Sequence, residues 1–285
     1  MKPSIIIDPI ILNDNIKDLH LLLNTIIKEN FFSVIEIWDT LEGSILDIIK
    51  SNSCHVIFDV NLSPLMSSMN YDLSSNDAEI RCRSLMHVYN RIELLRKYGV
   101  KCISLSAPSQ NNIDRKNKIE LFKNSLISIC KVADRLDMMV SIEAFDTSVD
   151  KKRILGNSLE VKQFMDDVRL MVNNVYLTWD LGHMCLNSDD FLFSLLTLHN
   201  YIYRVHLSNY SLNKDEWFYG DKHLPFGRIG QINQDDLIKI YNYLAKLNFS
   251  GSLAVEIASN RLIEDCCDET HTYDYIRRVM IELFY

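Results

Sequence analysis

Eight short segments rich in β-branched and aromatic residues recur along this chain, and their spacing constrains the fold more than any other feature. Their starts lie about 35 residues apart, which is room for one strand, one helix and two loops. Eight such units that close on themselves form a (β/α)₈ TIM barrel, so we predict the α/β class with residues 1–285 as one barrel domain. The predicted strands are Ser4–Asp8, Val34–Trp38, His55–Val60, Cys102–Ala107, Met139–Phe145, Val175–Asp180, Ile202–Ser208 and Gly251–Ala258.

Amphipathic segments between these strands predict the helices. In the first of them, Leu19, Leu22, Leu23 and Ile26 follow the i, i+3, i+4 spacing of a one-sided apolar stripe. An open eight-stranded sheet is the alternative, but neither a GxGxxG nor a P-loop motif supports it. The predicted helices include Asn15–Glu29, Asp77–Tyr98, Lys116–Leu136, Ser158–Val172 and Gln234–Leu247.

The charge pattern argues against binding to nucleic acid or to a membrane. The net charge is −8, and the chain has no clustered Lys and Arg of the kind that phosphate backbones require. No run of 18 or more apolar residues occurs, so no membrane span is predicted. We therefore expect a small-molecule partner, and the sequence leaves the oligomeric state open, with a homo-oligomer as one alternative.

The cysteines indicate a reducing compartment. Seven are scattered along the chain without a CxxC pair, and Cys266 and Cys267 are expected to be two adjacent reduced thiols. The N-terminal segment is interrupted by Asp8 and Pro9, which is unlike a signal peptide. A cytoplasmic location is the expectation.

Two connections are predicted to line the carboxyl-terminal face of the barrel, where barrel active sites are found. Residues 209–232 form a long segment of little periodicity that contains Trp217 within an aromatic run. Residues 146–157 follow the fifth strand and carry Lys151 and Arg153. Both segments are candidate binding loops.

Polar residues interrupt the last four strands near their carboxyl ends. These residues are Glu143, Asp180, His206 and Glu256. In a closed barrel they converge on one mouth, where three carboxylates repel one another unless a cation holds them. Oxygen donors with one imidazole suit a divalent metal. A structural network of ion pairs is the alternative interpretation.

Three further residues stand close to this group in the sequence. His183 lies three residues beyond Asp180 and could bind metal, donate a hydrogen bond to substrate or belong simply to a loop. Asp221 and His223 have a DxH spacing that can supply two metal ligands. A second metal held by His183, Asp221 and His223 is therefore an open alternative.

In this order, the segments SIEAF, TWDLGH, RVHLSN, GDKHLPFGRIG and LAVEIA resemble the xylose-isomerase-like TIM-barrel superfamily. That superfamily contains sugar and sugar-phosphate isomerases and epimerases, inosose and dehydroshikimate dehydratases, and the endonuclease IV type of DNA repair enzyme. The resemblance is specific over residues 139–260. It implies that Glu143, Asp180, His206 and Glu256 bind one divalent metal, and that His183 and His223 contact the substrate.

The sequence departs from two branches of that superfamily. The endonuclease branch needs histidines at earlier strand ends, where this chain has FDVNLSP and SLSAPS, so a trinuclear zinc site is not expected. The tagatose-epimerase branch has an Arg about six residues after the metal-binding His, where this chain has Leu212. The identity of the sugar therefore stays open.

The predicted activity is a metal-dependent isomerase or epimerase of carbohydrate metabolism, acting on a sugar or related polyhydroxy carbonyl compound. Glu143 and Glu256 would transfer the proton α to the carbonyl through an enediolate. Trp38 and Trp217 would form apolar walls that exclude water from the site. Mn²⁺ is the first expectation, with Co²⁺, Mg²⁺ or Zn²⁺ as alternatives. The alternative functions are a dehydratase of the inosose or dehydroshikimate type, a multi-zinc phosphoesterase or AP endonuclease, and a non-catalytic binding barrel.

Overall fold

The structure, a computed structural model, describes residues 1–8, 10, 18–39, 43–110, 114–227, 229–257 and 271–285. Eight parallel strands close into a barrel in sequence order, because β1 pairs with both β2 and β8. The predicted TIM barrel is thereby confirmed. The strands are β1 Lys2–Ile6, β2 Val34–Trp38, β3 Ile57–Asn61, β4 Cys102–Ser106, β5 Met139–Glu143, β6 Val175–Asp180, β7 Ile202–Leu207 and β8 Ser252–Val255.

Helices surround the barrel, and several begin at a short polar residue whose side chain accepts backbone hydrogen bonds. Asp77 accepts from the amides of Glu79 and Ile80, and Asn233 forms a reciprocal capping box with Asp236. None of the described helices has the length and apolarity needed to cross a membrane. The helices are α1 Leu19–Glu29, α2 Gly43–Asn52, α3 Ser63–Ser68, α4 Ala78–Lys97, α5 Arg115–Asp134, α6 Ser158–Arg169, α7 Leu181–Leu186, α8 Phe191–Leu198, α9 Gln234–Lys246 and α10 Thr272–Phe284.

The predicted bounds match the structure best where a strand has a clear polar limit. Val34–Trp38 and Val175–Asp180 coincide with β2 and β6, whereas the prediction for β1 lies two residues too far along the chain. The prediction for β3 began too early, because His55 lies in a turn. Residues 15–17, Ala258, Cys266 and Cys267 lie outside the described residues, so the predictions for them stay predictions.

Side chains alternate along the strands between an apolar outer face and a polar interior. Ile35, Ile103 and Ile142 are fully buried in the apolar core on the outer face. On the inner face, Ser141 and Thr178 share a hydrogen bond of 2.8 Å between their hydroxyl oxygens. This alternation places charged and hydroxyl side chains inside the barrel.

Arg204 of β7 cross-links the barrel interior. Its guanidinium donates to Glu36 Oε2 of β2 at 2.8 Å and to Asp59 Oδ2 of β3 at 2.7 Å. Ser4 of β1 donates to the other oxygen of Glu36 at 2.8 Å. Four strands are thus joined by one buried network beneath the carboxyl-terminal mouth.

Candidate metal centre

The pairing of neighbouring strands brings four polar side chains together at the mouth. Glu143 ends β5, Asp180 ends β6, His206 lies near the end of β7 and Glu256 directly follows β8. Asp180 stands opposite His206 in the pairing of β6 with β7. One potential ligand atom from each residue lies within 4.8 Å of the others. The structure therefore brings together the four ligands that were predicted from the sequence.

Buried atoms in this cluster lack hydrogen-bond partners, as expected of metal ligands. Asp180 Oδ2 and His206 Nδ1 are both buried, and neither has a hydrogen-bond partner among the described residues. His206 Nδ1 lies 3.0 Å from Glu256 Oε2 and 3.9 Å from Glu143 Oε1. Leaving such atoms unsatisfied is costly, and a divalent cation would satisfy them together. The residues present fit a divalent metal.

Asp180 is oriented by the helix that it caps. Its Oδ1 accepts from the backbone amide of His183 at 2.9 Å and from the hydroxyl of Ser208 at 2.6 Å. Ser208 in turn accepts from the amide of Gly182 at 3.0 Å. Because Oδ1 is occupied in this way, Oδ2 is the oxygen that is available to a metal.

Glu36 orients His206 from the opposite side. Its Oε2 lies 2.9 Å from His206 Nε2. Burial acts to raise the pKa of Glu36, but Arg204 and His206 outweigh it and lower the pKa to about 2. An ionised carboxylate only accepts, so Nε2 must carry the proton and Nδ1 is left to face the cluster.

Sequence reasoning missed Glu36, although a signal was present. Glu36 interrupts the apolar strand VIEIW in the same manner as the four predicted ligands interrupt theirs. It lies on β2, far along the chain from those residues, so the spacing of the last four strands did not lead to it. Arg204 and Ser208, which lie on or next to β7, were missed as well.

A second acidic and imidazole group adjoins the first. Ligand atoms of Asp180, His183 and His223 also lie within 4.8 Å of one another. Asp221 Oδ1 lies 3.0 Å from His223 Nε2, and its Oδ2 lies 3.5 Å from His183 Nδ1. Asp180 therefore belongs to both groups, and the structure places His183, Asp221 and His223 together, as the second-metal alternative requires.

The electrostatics of this second group favour a bound cation. Burial acts to lower the pKa of His183, but Asp180, Asp221 and Glu143 outweigh it and raise the pKa to about 9. Burial acts to raise the pKa of Asp221, but His183 and His223 outweigh it and hold the pKa below its usual range. Surroundings that retain a proton on an imidazole also attract a metal ion, and metal binding displaces such protons.

A cavity of about 440 Å³ opens above the cluster. Glu143, Glu256, His183 and His223 line it, whereas Asp180 and His206 do not. Trp38 forms part of its wall, as predicted. The other residues that line it are Asn61, Ser63, Pro64, Ser67, Ser106, Phe145, Lys151, Arg153 and Asp221.

Trp217 does not line this cavity, contrary to the prediction that it forms an apolar wall. An antiparallel bridge between Ser211 and Gly220 closes the connecting segment, so the residues between them project outward. Trp217 lies at the projecting end, packs edge-on against Phe218 and is 66% exposed. A side chain with that exposure does not exclude water from the site.

Comparison with known proteins connects the chain to one family. A family model described as xylose isomerase-like TIM barrel matches residues 53–279. No curated protein matches the sequence at a significant level.

Solved structures with the same fold include proteins of different activity. A D-psicose 3-epimerase from Clostridium cellulolyticum H10, solved with D-tagatose, is 18% identical with a TM-score of 0.72, covering 99% of this chain and 96% of its own. The IOLI protein, solved with a zinc atom, is 15% identical with a TM-score of 0.77, covering 99% and 98%. A probable 3-DHS dehydratase, AsbF of Bacillus anthracis, is 13% identical with a TM-score of 0.69, covering 99% and 97%. At these identities the likeness is one of fold.

Proposed function

Because the chain belongs to the xylose isomerase-like TIM-barrel family, we propose that it is a divalent-metal-dependent isomerase or epimerase of a small polyhydroxy carbonyl compound. Glu143, Asp180, His206 and Glu256 would hold the metal. Three carboxylates and one imidazole suit Mn²⁺ first, with Co²⁺, Mg²⁺ and Zn²⁺ as alternatives. When bound, the metal would polarise the substrate carbonyl as a Lewis acid.

The observation that carries this proposal is the difference in access among the four ligands. Glu143 and Glu256 line the cavity, so a substrate there can reach both carboxylates. Asp180 and His206 do not line this cavity, and Asp180 is fully buried. Two of the four proposed metal ligands are therefore carboxylates that a substrate can contact. An epimerase needs two such groups, one to remove a proton from carbon and one to return it.

The chain's own groups account for the proton transfers. One of the two glutamates removes the proton α to the carbonyl, and the electron pair of that C–H bond moves toward the carbonyl group. The other glutamate, after taking up a proton from solvent, donates that proton to the resulting carbanion and is left as the carboxylate. His183 Nε2 lies 3.4 Å from Glu143 Oε1, and His223 Nδ1 lies 3.2 Å from Glu256 Oε1, so an imidazole adjoins each carboxylate.

Two further residues orient the substrate and limit water. His183, whose ring packs at a tilt against Phe145 with 4.1 Å between the ring centres, lines the cavity, where it can donate a hydrogen bond to a substrate oxygen. Trp38 contributes an indole ring to the lining of the cavity. Excluding water strengthens the electrostatic interactions on which proton abstraction depends.

Replacement of Glu143 by Gln tests the proton transfer. We expect solvent-deuterium incorporation into ketoses such as D-psicose, D-tagatose and L-ribulose to fall by at least about a hundredfold, the usual contribution of a positioned acid or base. The amide retains the shape of the side chain, so circular dichroism should be unchanged. Nuclear magnetic resonance of substrates in D₂O measures the incorporation.

The matched control is Glu79→Gln, since Glu79 lies exposed on α4 and far from the site. This variant should exchange deuterium at the wild-type rate. Wild-type exchange in Glu143→Gln that retains its metal would contradict the role proposed for Glu143.

A dehydratase that uses the same site is the first alternative. Once the α proton has been removed, the same carbanion can expel a β-hydroxyl group instead of being reprotonated. The fold of the probable dehydratase AsbF is similar. Ultraviolet absorbance after incubation with inosose, a cyclic polyol ketone, would reveal the unsaturated product and favour this activity.

The second group of ligands favours one further candidate, a phosphoesterase with two metal ions. Asp180 is shared between the two groups, and Asp221 lies 3.0 Å from Nε2 of His223 and 3.5 Å from Nδ1 of His183. Two ions that share a carboxylate suit in-line displacement at phosphorus. Two metal equivalents per chain, together with cleavage of an abasic-site duplex, would select this candidate.

A further inference from the structure

Two basic residues line the cavity above the metal centre, and the proposed proton transfers do not use them. Glu143 and Glu256 form part of its acidic side, whereas Lys151 and Arg153 contribute two cationic groups. Removing and returning a proton needs only the acidic side and the metal. Lys151 and Arg153 therefore need a separate explanation.

The segment that carries these two residues is held in place by a buried carboxylate. Asp146 accepts hydrogen bonds from the amides of Val149, Asp150 and Lys151 at 2.6, 2.9 and 2.7 Å. The amide of Arg153 donates to the carbonyl of Asp146 at 2.9 Å. Because the backbone is fixed, the positions of the basic groups are set before any ligand arrives.

Arg153 forms no ion pair within 4.0 Å in the described part of the chain, although the charges of Glu143, Asp146 and Asp72 act on it from farther away. Its Nη1 donates to the hydroxyl of Ser109 at 2.8 Å, but its Nε is buried with no hydrogen-bond partner. By contrast, Arg204 is bound to both Glu36 and Asp59. A half-buried guanidinium without a close carboxylate is poorly compensated for its lost solvation, and an anionic ligand would improve that compensation.

Lys151 and Arg153 differ in how much positive charge they leave available. Lys151 Nζ lies 3.3 Å from Asp221 Oδ2 and is partly neutralised. The guanidinium carbon of Arg153 lies 5.4 Å from the ring centre of Phe145, the same ring that contacts His183 at a tilt of 41°. Arg153 and His183 thus contact the same aromatic ring, and Arg153 leaves more positive charge available than Lys151 does.

Hydroxyl groups line the same part of the cavity. Ser63, Ser67 and Ser106 share with Arg153 the wall of the main cavity and that of a neighbouring cavity of about 370 Å³. The Ser63 hydroxyl already accepts from the amide of Ser106 at 2.6 Å, so its proton remains free to be donated. An anion beside Arg153 would find both charge and hydroxyl donors.

We propose that the substrate carries an anionic group, a phosphate or a carboxylate, that Arg153 binds where the segment after β5 borders the cavity, with support from Lys151. This inference rests on the proposed function, because it assigns the remainder of the substrate to the metal and the two glutamates. The guanidinium forms paired hydrogen bonds with both kinds of oxyanion. We therefore expect the site to bind an anionic polyhydroxy ketone more tightly than its neutral parent.

Isothermal titration of metal-loaded protein tests this preference. The phosphate arm compares D-ribulose 5-phosphate with D-ribulose, and the carboxylate arm compares D-fructuronate with D-fructose. We expect one anionic probe to bind at least about tenfold more tightly than its neutral counterpart, and Arg153→Gln to remove that preference. The arm that shows the preference identifies the group.

Lys152→Gln is the matched control, because Lys152 is the exposed neighbour of both basic residues and does not line the cavity. It removes the same charge and should retain the preference. The proposal is overturned if neither anionic probe binds more tightly than its counterpart, or if Lys152→Gln has the same effect as Arg153→Gln.

Deuterium incorporation separates this inference from the proposed function. Exchange into D-ribulose and D-fructose without any anionic preference would overturn the anion subsite and leave the isomerase intact. An Arg153-dependent anionic preference with no exchange into any of the four probes would support the subsite and count against the isomerase.

Discussion

At the scale of single residues, His206 is fixed by what lies behind it. Glu36 accepts from Nε2 at 2.9 Å, and Arg204 holds Glu36 at 2.8 Å. This arrangement fixes the tautomer and makes Nδ1 a better donor to a metal. The metal affinity of the cluster should therefore depend on Glu36, which is not itself a proposed ligand.

We predict that Glu36→Gln weakens metal binding by about 10- to 100-fold, the usual effect of removing a partner of a metal-binding histidine. The amide lacks the charge that stabilises the Nε2 proton. Titration with Mn²⁺ in competition with a chelator measures the dissociation constant.

Asp59→Asn is the control for this variant. Asp59 also accepts from Arg204, at 2.7 Å, so the variant removes a charge from the same buried network without altering the partner of His206. Metal affinity in Asp59→Asn should stay near that of the wild type. Equal weakening in both variants would indicate that the effect arises from the Arg204 network.

Single residues were predictable from the sequence where a charge interrupted an apolar strand near its end. This reasoning found Glu143, Asp180, His206 and Glu256, which the structure brings together. It missed Glu36, because this partner of His206 lies on β2, which is far from His206 in the sequence. It placed Trp217 wrongly, because an aromatic run carries no information about the direction in which its loop projects.

At the scale of elements, the segment after β5 depends on one carboxylate. Asp146 is fully buried and accepts three consecutive backbone amides, from Val149 to Lys151. The segment borders the cavity through Lys151 and Arg153. Its order should therefore affect both stability and the shape of the site.

We predict that Asp146→Ala lowers the free energy of unfolding by about 1–3 kcal/mol, because three amides lose their acceptor. Hydrogen exchange at Val149–Lys151 should become at least about tenfold faster, since the segment can then open locally. Urea unfolding and exchange mass spectrometry measure the two effects.

Asp167→Ala is the control, since Asp167 makes a partly exposed pair with Lys123 at 3.3 Å. It should change the free energy of unfolding by less than about 1 kcal/mol. Unchanged exchange at Val149–Lys151 in Asp146→Ala would show that the segment is held by other contacts.

The order and type of the elements were predictable, whereas some of their ends were not. The prediction for β1 was displaced because Ile5, Ile6 and Ile7 form a run without polar alternation. The prediction for β6 was accurate because Asp180 both ends the strand and caps α7. Boundaries are thus predictable where one residue has a distinct role in each of the two elements.

At the scale of the whole molecule, closure of the barrel creates the metal centre. The ligands come from β5, β6, β7 and the end of β8, and they meet only when all these strands are paired. An unfolded chain cannot present them together, so a metal that binds this group also stabilises the barrel. The regular spacing of strands predicted this convergence, but the interior network of Arg204 depends on contacts across the barrel that spacing does not reveal.

The metal content of the purified chain shows directly whether Glu143, Asp180, His206 and Glu256 form a metal site. Protein prepared without chelator would be dialysed separately against Mn²⁺, Co²⁺, Mg²⁺ and Zn²⁺, freed of excess ion and measured by inductively coupled plasma mass spectrometry. We expect about one tightly held metal ion per chain, supplied by Mn²⁺ or Co²⁺, as for a site with four ligands. Absence of binding by all four ions would contradict it and leave the cluster as a structural ion network.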